Sequence, residues 1–163
     1  MTPITVETAT WRDAAAVFKL RRALDEETAA LTKIPNNETD DMMMAQLYET
    51  MGWFYDPNRV IYITKNGAET TGYIAALGAT YVGRTSGVSV CGLYVVPSAR
   101  MGASISLLIK AVTKAAVDSQ SLQIQAVVMS GNTRMEKALT RMGFKAVAQV
   151  YDREVNHGRI VRQ

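Results

Sequence analysis

Cysteine and histidine are almost missing from this sequence: Cys91 is the single cysteine and His157 the single histidine in 163 residues. One thiol closes no internal disulfide, and one thiol with one imidazole falls short of the ligand set a structural zinc site needs. That usage fits a reducing compartment, and a cytoplasmic location is the expectation. Charge of one sign is not gathered anywhere either. The 18 lysines and arginines stand against 15 acidic residues, a net charge of +3, and no dense basic block marks a nucleic-acid face. Nucleic acid is therefore not indicated as a partner, while the small positive balance permits an anionic cofactor. Long apolar runs are also absent. No stretch reaches the roughly 18 apolar residues of a membrane span, and Met1 to Leu20 holds no unbroken apolar core of the signal-peptide kind. We expect a soluble protein with no membrane partner. With no internal repeat, low-complexity tract or linker, a chain of this length suits one domain over residues 1–163.

What is present reads as an ordinary globular chain, since 48% hydrophobic and 20% charged residues argue against long disorder. Ile4-Thr5-Val6 predicts a short strand. Thr10-Trp11-Arg12-Asp13 has the spacing of a capping box, and Val17, Leu20 and Leu24 recur at helical spacing, so a helix should run from about Trp11 into the low thirties until Pro35 and Asn36-Asn37 stop it. A second helix should begin near Thr39-Asp40-Asp41, where acidic residues favour the positive end of the helix dipole, and end before Asp56-Pro57.

The pattern then turns extended. Val60 to Thr64, the turn Asn66-Gly67 and Thr70 to Tyr81 predict a β-hairpin. Gly83 to Gly87 reads as another turn, and Val88 to Val96 as a strand stopped by Pro97. Ile105, Leu108, Ile109, Val112 and Ala116 predict an amphipathic helix with one face on the sheet. Leu122 to Met129 reads as a buried strand, Thr133 to Met142 as a short helix ended by Gly143, and Phe144 to Val155 as a last extended segment.

Two segments offer more than structure: Leu93-Tyr94-Val95-Val96-Pro97-Ser98-Ala99-Arg100-Met101-Gly102, and Asn132-Thr133-Arg134-Met135 running on to Met142-Gly143-Phe144. In this element order they resemble the GCN5-related N-acetyltransferase family, over nearly the whole chain but specifically from about Val88 to Phe144. The resemblance implies an α/β fold with a mixed, mostly antiparallel central sheet flanked by about four helices, the acyl-CoA N-acyltransferase fold. It implies acetyl transfer from acetyl-CoA to an amine by direct attack in a ternary complex. The segment around Asn132 to Phe144 is also loosely similar to acetyltransferase-like proteins of bacterial viruses. Protein lysine, a small amine and a modified nucleobase stay open as acceptors, and a homodimer stays open as the assembly.

In the family, a strand ending hydrophobic-x-Val-x-Pro leads into an Arg/Gln-x-x-Gly-x-Gly/Ala loop and a helix, and Arg100 to Ile105 stands in that place. Counting from Pro97 puts Arg100 on the Arg/Gln position and Ala103 and Ile105 on the glycine positions. Counting from Gly102 puts Gly102 and Ser104 there instead, with Ala99 for the Arg/Gln. The first count also aligns Leu107-Leu108-Ile109 with the family's apolar helix start. Physically, a helix N-terminus presents unpaired N–H groups at the positive dipole end, which suits the coenzyme pyrophosphate. Met101, Gly102, Ala103 and Ser104 make the loop, its small residues let backbone approach phosphate, and Arg100 adds charge. An ordinary strand-turn-helix junction is the other reading.

The resemblance further implies that the strand ending at Val96 splays from Leu122 to Met129, opening a slot in which the pantetheine arm pairs with backbone around Tyr94, Val95 and Val96. An N–H there would polarise the thioester carbonyl. Asn132 matches a cofactor-contacting asparagine and reads equally as a helix cap. The tyrosine that often protonates the leaving thiolate is replaced by Leu139, which is expected to touch the coenzyme, leaving Ser130 or water as the acid; Ser130 also reads as a turn residue. The strand position where the family often carries a glutamate is Cys91-Gly92, which leaves Glu26, Glu27, Asp40, Asp41 and Glu49 as candidate bases or as plain solvated side chains. Cys91 reads as a small core residue or an acyl carrier. Met42-Met43-Met44, Tyr48, Met51, Trp53, Phe54 and Tyr55 form a substrate-facing wall, a packing face or a dimer contact. A non-catalytic module binding coenzyme A or a macromolecular partner is the alternative that Leu139, Ile105 and the missing strand carboxylate favour.

Overall fold

The computed structural model describes residues 3–33, 39–81, 84–100, 103–129 and 131–146. Its elements are β1 (Ile4–Thr8), α1 (Ala14–Thr32), α2 (Asp40–Trp53), β2 (Arg59–Asn66), β3 (Glu69–Tyr81), β4 (Arg84–Val95), α3 (Ser104–Asp118), β5 (Ile124–Ala126) and α4 (Thr133–Arg141), with single 3-10 turns at Trp11–Asp13 and Pro97–Ala99. Among the described residues, five strands form one sheet and lie in sequence order. The first four pair antiparallel, and β5 joins β4 in parallel. This is the mixed, mostly antiparallel sheet with four α-helices that the sequence implies.

Local chemistry explains most boundaries. The Asp13 carboxylate accepts from the Thr10 N–H at 2.9 Å and from its hydroxyl at 3.0 Å, fixing the entry to α1. Lys33 ends that helix in the left-handed region at φ 57°. The proposed stop at Pro35 and Asn36-Asn37 lies outside the described residues. Thr39 caps α2 by accepting from the Met42 N–H at 3.3 Å.

The β2–β3 hairpin forms with Asn66 opposite Glu69, so its two-residue loop is Gly67-Ala68, one residue later than the sequence suggests. Gly67 takes the first loop position at φ 62°, the backbone conformation that such loops demand and glycine supplies without strain. Three other expectations are corrected. β4 begins at Arg84, which pairs with Tyr81, so the stretch up to Gly87 is ladder and not turn. β5 is three residues long, and Leu122 and Val127 beside it are exposed rather than buried. Phe144 to Ala146 carry no strand, and the rest of the expected last strand lies outside the described residues.

Two cores flank the sheet. On one side, Leu108, Ile109, Val112 and Ala116 of α3 and Leu139 of α4 gather with Ile74, Ala76, Val88 and Val95. On the other, Val17 and Leu20 of α1 and Trp53 of α2 gather with Ile61, Ile63, Tyr73, Ala75 and Tyr94. Each fully buried aliphatic side chain contributes about 1.5–3 kcal/mol relative to exposure. Among the described residues no helix is long and apolar enough to cross a membrane.

Candidate active site

One irregularity in β4 sets the geometry. Ala75 lies opposite Gly92 and Ala76 opposite Val90, so Cys91 is an extra, bulged residue. The parallel ladder with β5 covers Val88 to Val90 and stops there, while β4 continues to Val95. In an antiparallel ladder, residues alternate between bonding the partner strand and turning their peptide groups the other way. Before the bulge, Val88 donates its N–H to Gln123 at 2.9 Å, on the β5 side. After it, Val96 donates to the Thr71 carbonyl at 2.9 Å. Counting back by twos gives Tyr94 and Gly92 to β3 as well. Leu93 and Val95 therefore turn N–H and C=O away from β3, along an edge that β5 no longer covers. Of the expected Tyr94, Val95 and Val96, only Val95 faces this edge, because Tyr94 and Val96 bond β3, and Leu93 joins Val95 there. The bulge decides the parity, and it is visible only against β3.

The chain leaves this edge through Pro97–Ala99 toward α3. Arg100 donates through Nε to the Val95 carbonyl at 2.7 Å, pairs through Nη2 with the Glu27 carboxylate on α1, and lies 5.1 Å above the Tyr94 ring. The Tyr94 hydroxyl donates to the same Glu27 oxygen at 3.3 Å. Burial first, then the Glu27 charge, raise the pKa of this phenol. Glu27 is thus tied into a cation and a phenol, a poor arrangement for a free base. Ala103 precedes α3 and its carbonyl accepts from the Leu107 N–H at 2.9 Å. Ser104, the first residue of the helix, is fully buried with no hydrogen-bond partner for its Oγ. Ile105 packs its side chain against the α3-side core.

Among the described residues, these features fit a coenzyme-like group: a backbone edge that β5 leaves open beyond Val90, on which Arg100 takes the Val95 carbonyl, leads to a helix start with an orphaned buried hydroxyl for a phosphate oxygen. Met101, Gly102 and Ser130 lie outside the described residues. Asn132 caps α4, its Oδ1 accepting from the Met135 N–H at 3.2 Å. Leu139 is buried in the α3-side core.

On the opposite face, Gly92 is the seat of an aromatic ring. A Cβ there would come within 2.6 Å of the Tyr73 hydroxyl and 3.3 Å of two of its ring carbons. Tyr73 is fully buried, and its hydroxyl has no hydrogen-bond partner. Burial pushes its pKa up strongly, and the Asp25 carboxylate adds to the shift. Gln46 donates through Nε2 to Asp25 at 3.4 Å, and its Oε1 is buried without a hydrogen-bond partner. Neither Asp25, Gln46 nor Tyr73 stands out in the sequence. A glycine inside a predicted strand signals close approach by a neighbouring group, and Gly92 was the available hint. Of the residues expected to form a wall on and just after α2, Met42, Met44, Tyr48, Met51 and Tyr55 are exposed, whereas Trp53 packs under the sheet. A groove of about 540 Å³ bordered by Asn58, Val88, Ala115 and Ser119 lies at the other end of β4 and α3 and holds none of these residues.

No family model matches the chain, and no curated protein does. Solved structures do. The aminoglycoside N-acetyltransferase AAC(6')-Iy, in complex with the bisubstrate analogue CoA-S-monomethyl-acetylneamine, is 18% identical with a TM-score of 0.76, covering 95% of this chain and 99% of that one. A transcriptional regulator from Bacillus halodurans C-125 is 16% identical with a TM-score of 0.75, over 94% of this chain and 100% of that one. A ribosomal-protein-alanine N-acetyltransferase from Brucella melitensis biovar Abortus 2308 is 13% identical with a TM-score of 0.70, over 94% and 100%. The chain therefore has the acyl-CoA N-acyltransferase fold found in the GCN5-related N-acetyltransferases.

Proposed function

We propose that this chain is a GCN5-related N-acetyltransferase, a single domain over residues 1–163 that moves an acetyl group from acetyl-CoA to a small-molecule amine. The observation that carries the reading is the bulge at Cys91, which turns the peptide groups of Leu93 and Val95 toward the uncovered edge of β4. Leu93 and Val95 would hold the pantetheine arm there. Ser104, Ala103 and Ile105, with Met101 and Gly102, would hold the pyrophosphate at the start of α3, and Arg100 would shift from Glu27 toward it. Acetyl-CoA supplies the activated thioester, so the protein's share is to bind, orient and polarise. The exposed α2 stripe offers one wall to the acceptor, and a neighbour's acetylated aminoglycoside analogue supports a small amine in that role. The exposed thiol of Cys91 suits a reducing cytoplasm.

Isothermal calorimetry with acetyl-CoA, followed by thiol release against an amine panel that includes neamine, tests the reading. Binding with release supports it. A non-catalytic module is the second reading, favoured by Leu139 in the core where an acid would serve, and by the engagement of Arg100 with Glu27. Binding without release from any amine would favour that module.

A further inference from the structure

We infer that Glu27 is the carboxylate that receives the ammonium group of the acceptor, and that Arg100 masks it until the coenzyme site takes the arginine away. This deepens the acetyl-transfer reading and rests on it. One guanidinium joins the two places. Arg100 donates through Nε to the Val95 carbonyl at 2.7 Å and through Nη2 to Glu27 on α1, and its Cζ lies 5.1 Å from the centre of the Tyr94 ring. The Val95 carbonyl belongs to the β4 edge that β5 leaves open beyond Val90, so the side chain of Arg100 crosses the edge proposed for the pantetheine arm.

The same arginine stands four residues before Ser104, whose buried, unpartnered Oγ marks the start of α3. A pyrophosphate held there carries two negative charges against the one on Glu27. The Glu27 side chain is also 43% exposed, so solvent weakens its hold on the cation. Arg100 is thus drawn toward α3 when that site fills. Glu27 keeps its place without it, because the hydroxyl of the buried Tyr94 donates to the same Glu27 oxygen at 3.3 Å. The two arginines earlier on α1 have carboxylates of their own: Arg21 is bound to Glu49 at 2.7 Å, and Arg22 reaches Glu26 at 4.0 Å. An ammonium arriving first meets a guanidinium already on the carboxylate, and like charges repel. Arriving second, it meets a half-exposed carboxylate steadied by a neutral phenol. Amine and coenzyme sites are therefore coupled through one side chain, and the amine binds better after the coenzyme.

Calorimetry tests this with coenzyme A, which carries no acetyl group and allows no turnover, and with neamine as the cationic probe. In wild type, saturating coenzyme A should tighten neamine binding by about three- to fivefold, the range open to a half-exposed ion pair, and neamine should tighten coenzyme A by the same factor. Glu27→Gln should bring that factor to about one while coenzyme A itself binds no more weakly, a combination that damage to the fold does not produce. Arg100→Gln should bind neamine without coenzyme as tightly as loaded wild type does. Coenzyme binding with equal neamine affinity in free and loaded wild type overturns the masking alone, whereas no coenzyme binding removes the acetyl-transfer reading and the masking with it. Neither comparison depends on a variant that folds. If neamine gives no heat with either form, Glu27 is read directly by mass spectrometry. A water-soluble carbodiimide with glycine ethyl ester should label Glu27, relative to the exposed Glu69, several-fold faster when acetyl-CoA is bound, and an unchanged ratio overturns the proposal.

Discussion

Arg100, just beyond the end of β4, reaches across to Glu27 on α1 and holds the Val95 carbonyl with the same side chain at 2.7 Å. The exit of the central strand is thereby pinned to the first helix, and the cation next to the proposed pyrophosphate site already has an anionic partner. Glu27→Gln should release that cation. Affinity for coenzyme A, measured by calorimetry, should rise a few-fold, while urea unfolding should show a loss of about 0.5–1 kcal/mol, the scale of a half-exposed ion pair. Unchanged affinity would confine Arg100 to a structural role.

Gly92 and Tyr73 should behave as a coupled pair. Gly92→Ala drives a methyl group against the Tyr73 ring and should cost about 1–3 kcal/mol, as overpacking does. Tyr73→Phe removes the atom in closest conflict, at 2.6 Å, so the double variant should be less destabilised than the sum of the singles. Additive losses in denaturant melts would mean that the ring is free to move aside.

Tyr73 should also make the protein sensitive to alkali. Its pKa is raised in the folded state by burial, then by Asp25, so the folded protein keeps a proton that the unfolded chain gives up near pH 10. Stability is fully present below that pH and should fall as pH rises above it, by up to about 1.4 kcal/mol per pH unit for one group. Tyr73→Phe should flatten the fall. Melting temperatures from pH 8 to 11 for the two proteins check the sign and the residue.

Leu139 belongs to the core that joins α3 and α4 to the sheet. Leu139→Ala should cost about 2–5 kcal/mol of stability by leaving a cavity. If the residue takes no part in proton transfer, thiol release at a temperature where the variant is folded should stay within a few-fold of wild type. A large loss of turnover with acetyl-CoA binding intact would contradict that.

Much of the architecture was legible because it rests on local periodicity. The α3 face of Leu108, Ile109, Val112 and Ala116, the cap at Thr10 and Asp13, and the glycine of the β2–β3 loop are signals a single segment carries. Long-range pairing was not legible. The bulge at Cys91 exists only relative to Ala75 and Ala76, and it decides that Leu93 and Val95 face the open edge. Leu122, Val127 and Met129 look like a buried strand by composition, but only Ile124 to Ala126 between them pair with β4. Tyr73 reads as one more aromatic in a strand until Gly92 is set beside it. Asp25 and Gln46 lie on different helices, and no spacing rule connects them.

The central claim is that the uncovered β4 edge and the start of α3 hold acetyl-CoA, and calorimetric titration of the purified chain with acetyl-CoA tests it most directly. The account predicts saturable binding at one site per chain, with a rise in melting temperature equivalent to about 2.7 kcal/mol at a ligand concentration near a hundred times Kd. Replacing the buried, unpartnered Ser104 by valine should weaken that binding while the helix still forms. An absence of heat and of any melting shift at millimolar acetyl-CoA would contradict it.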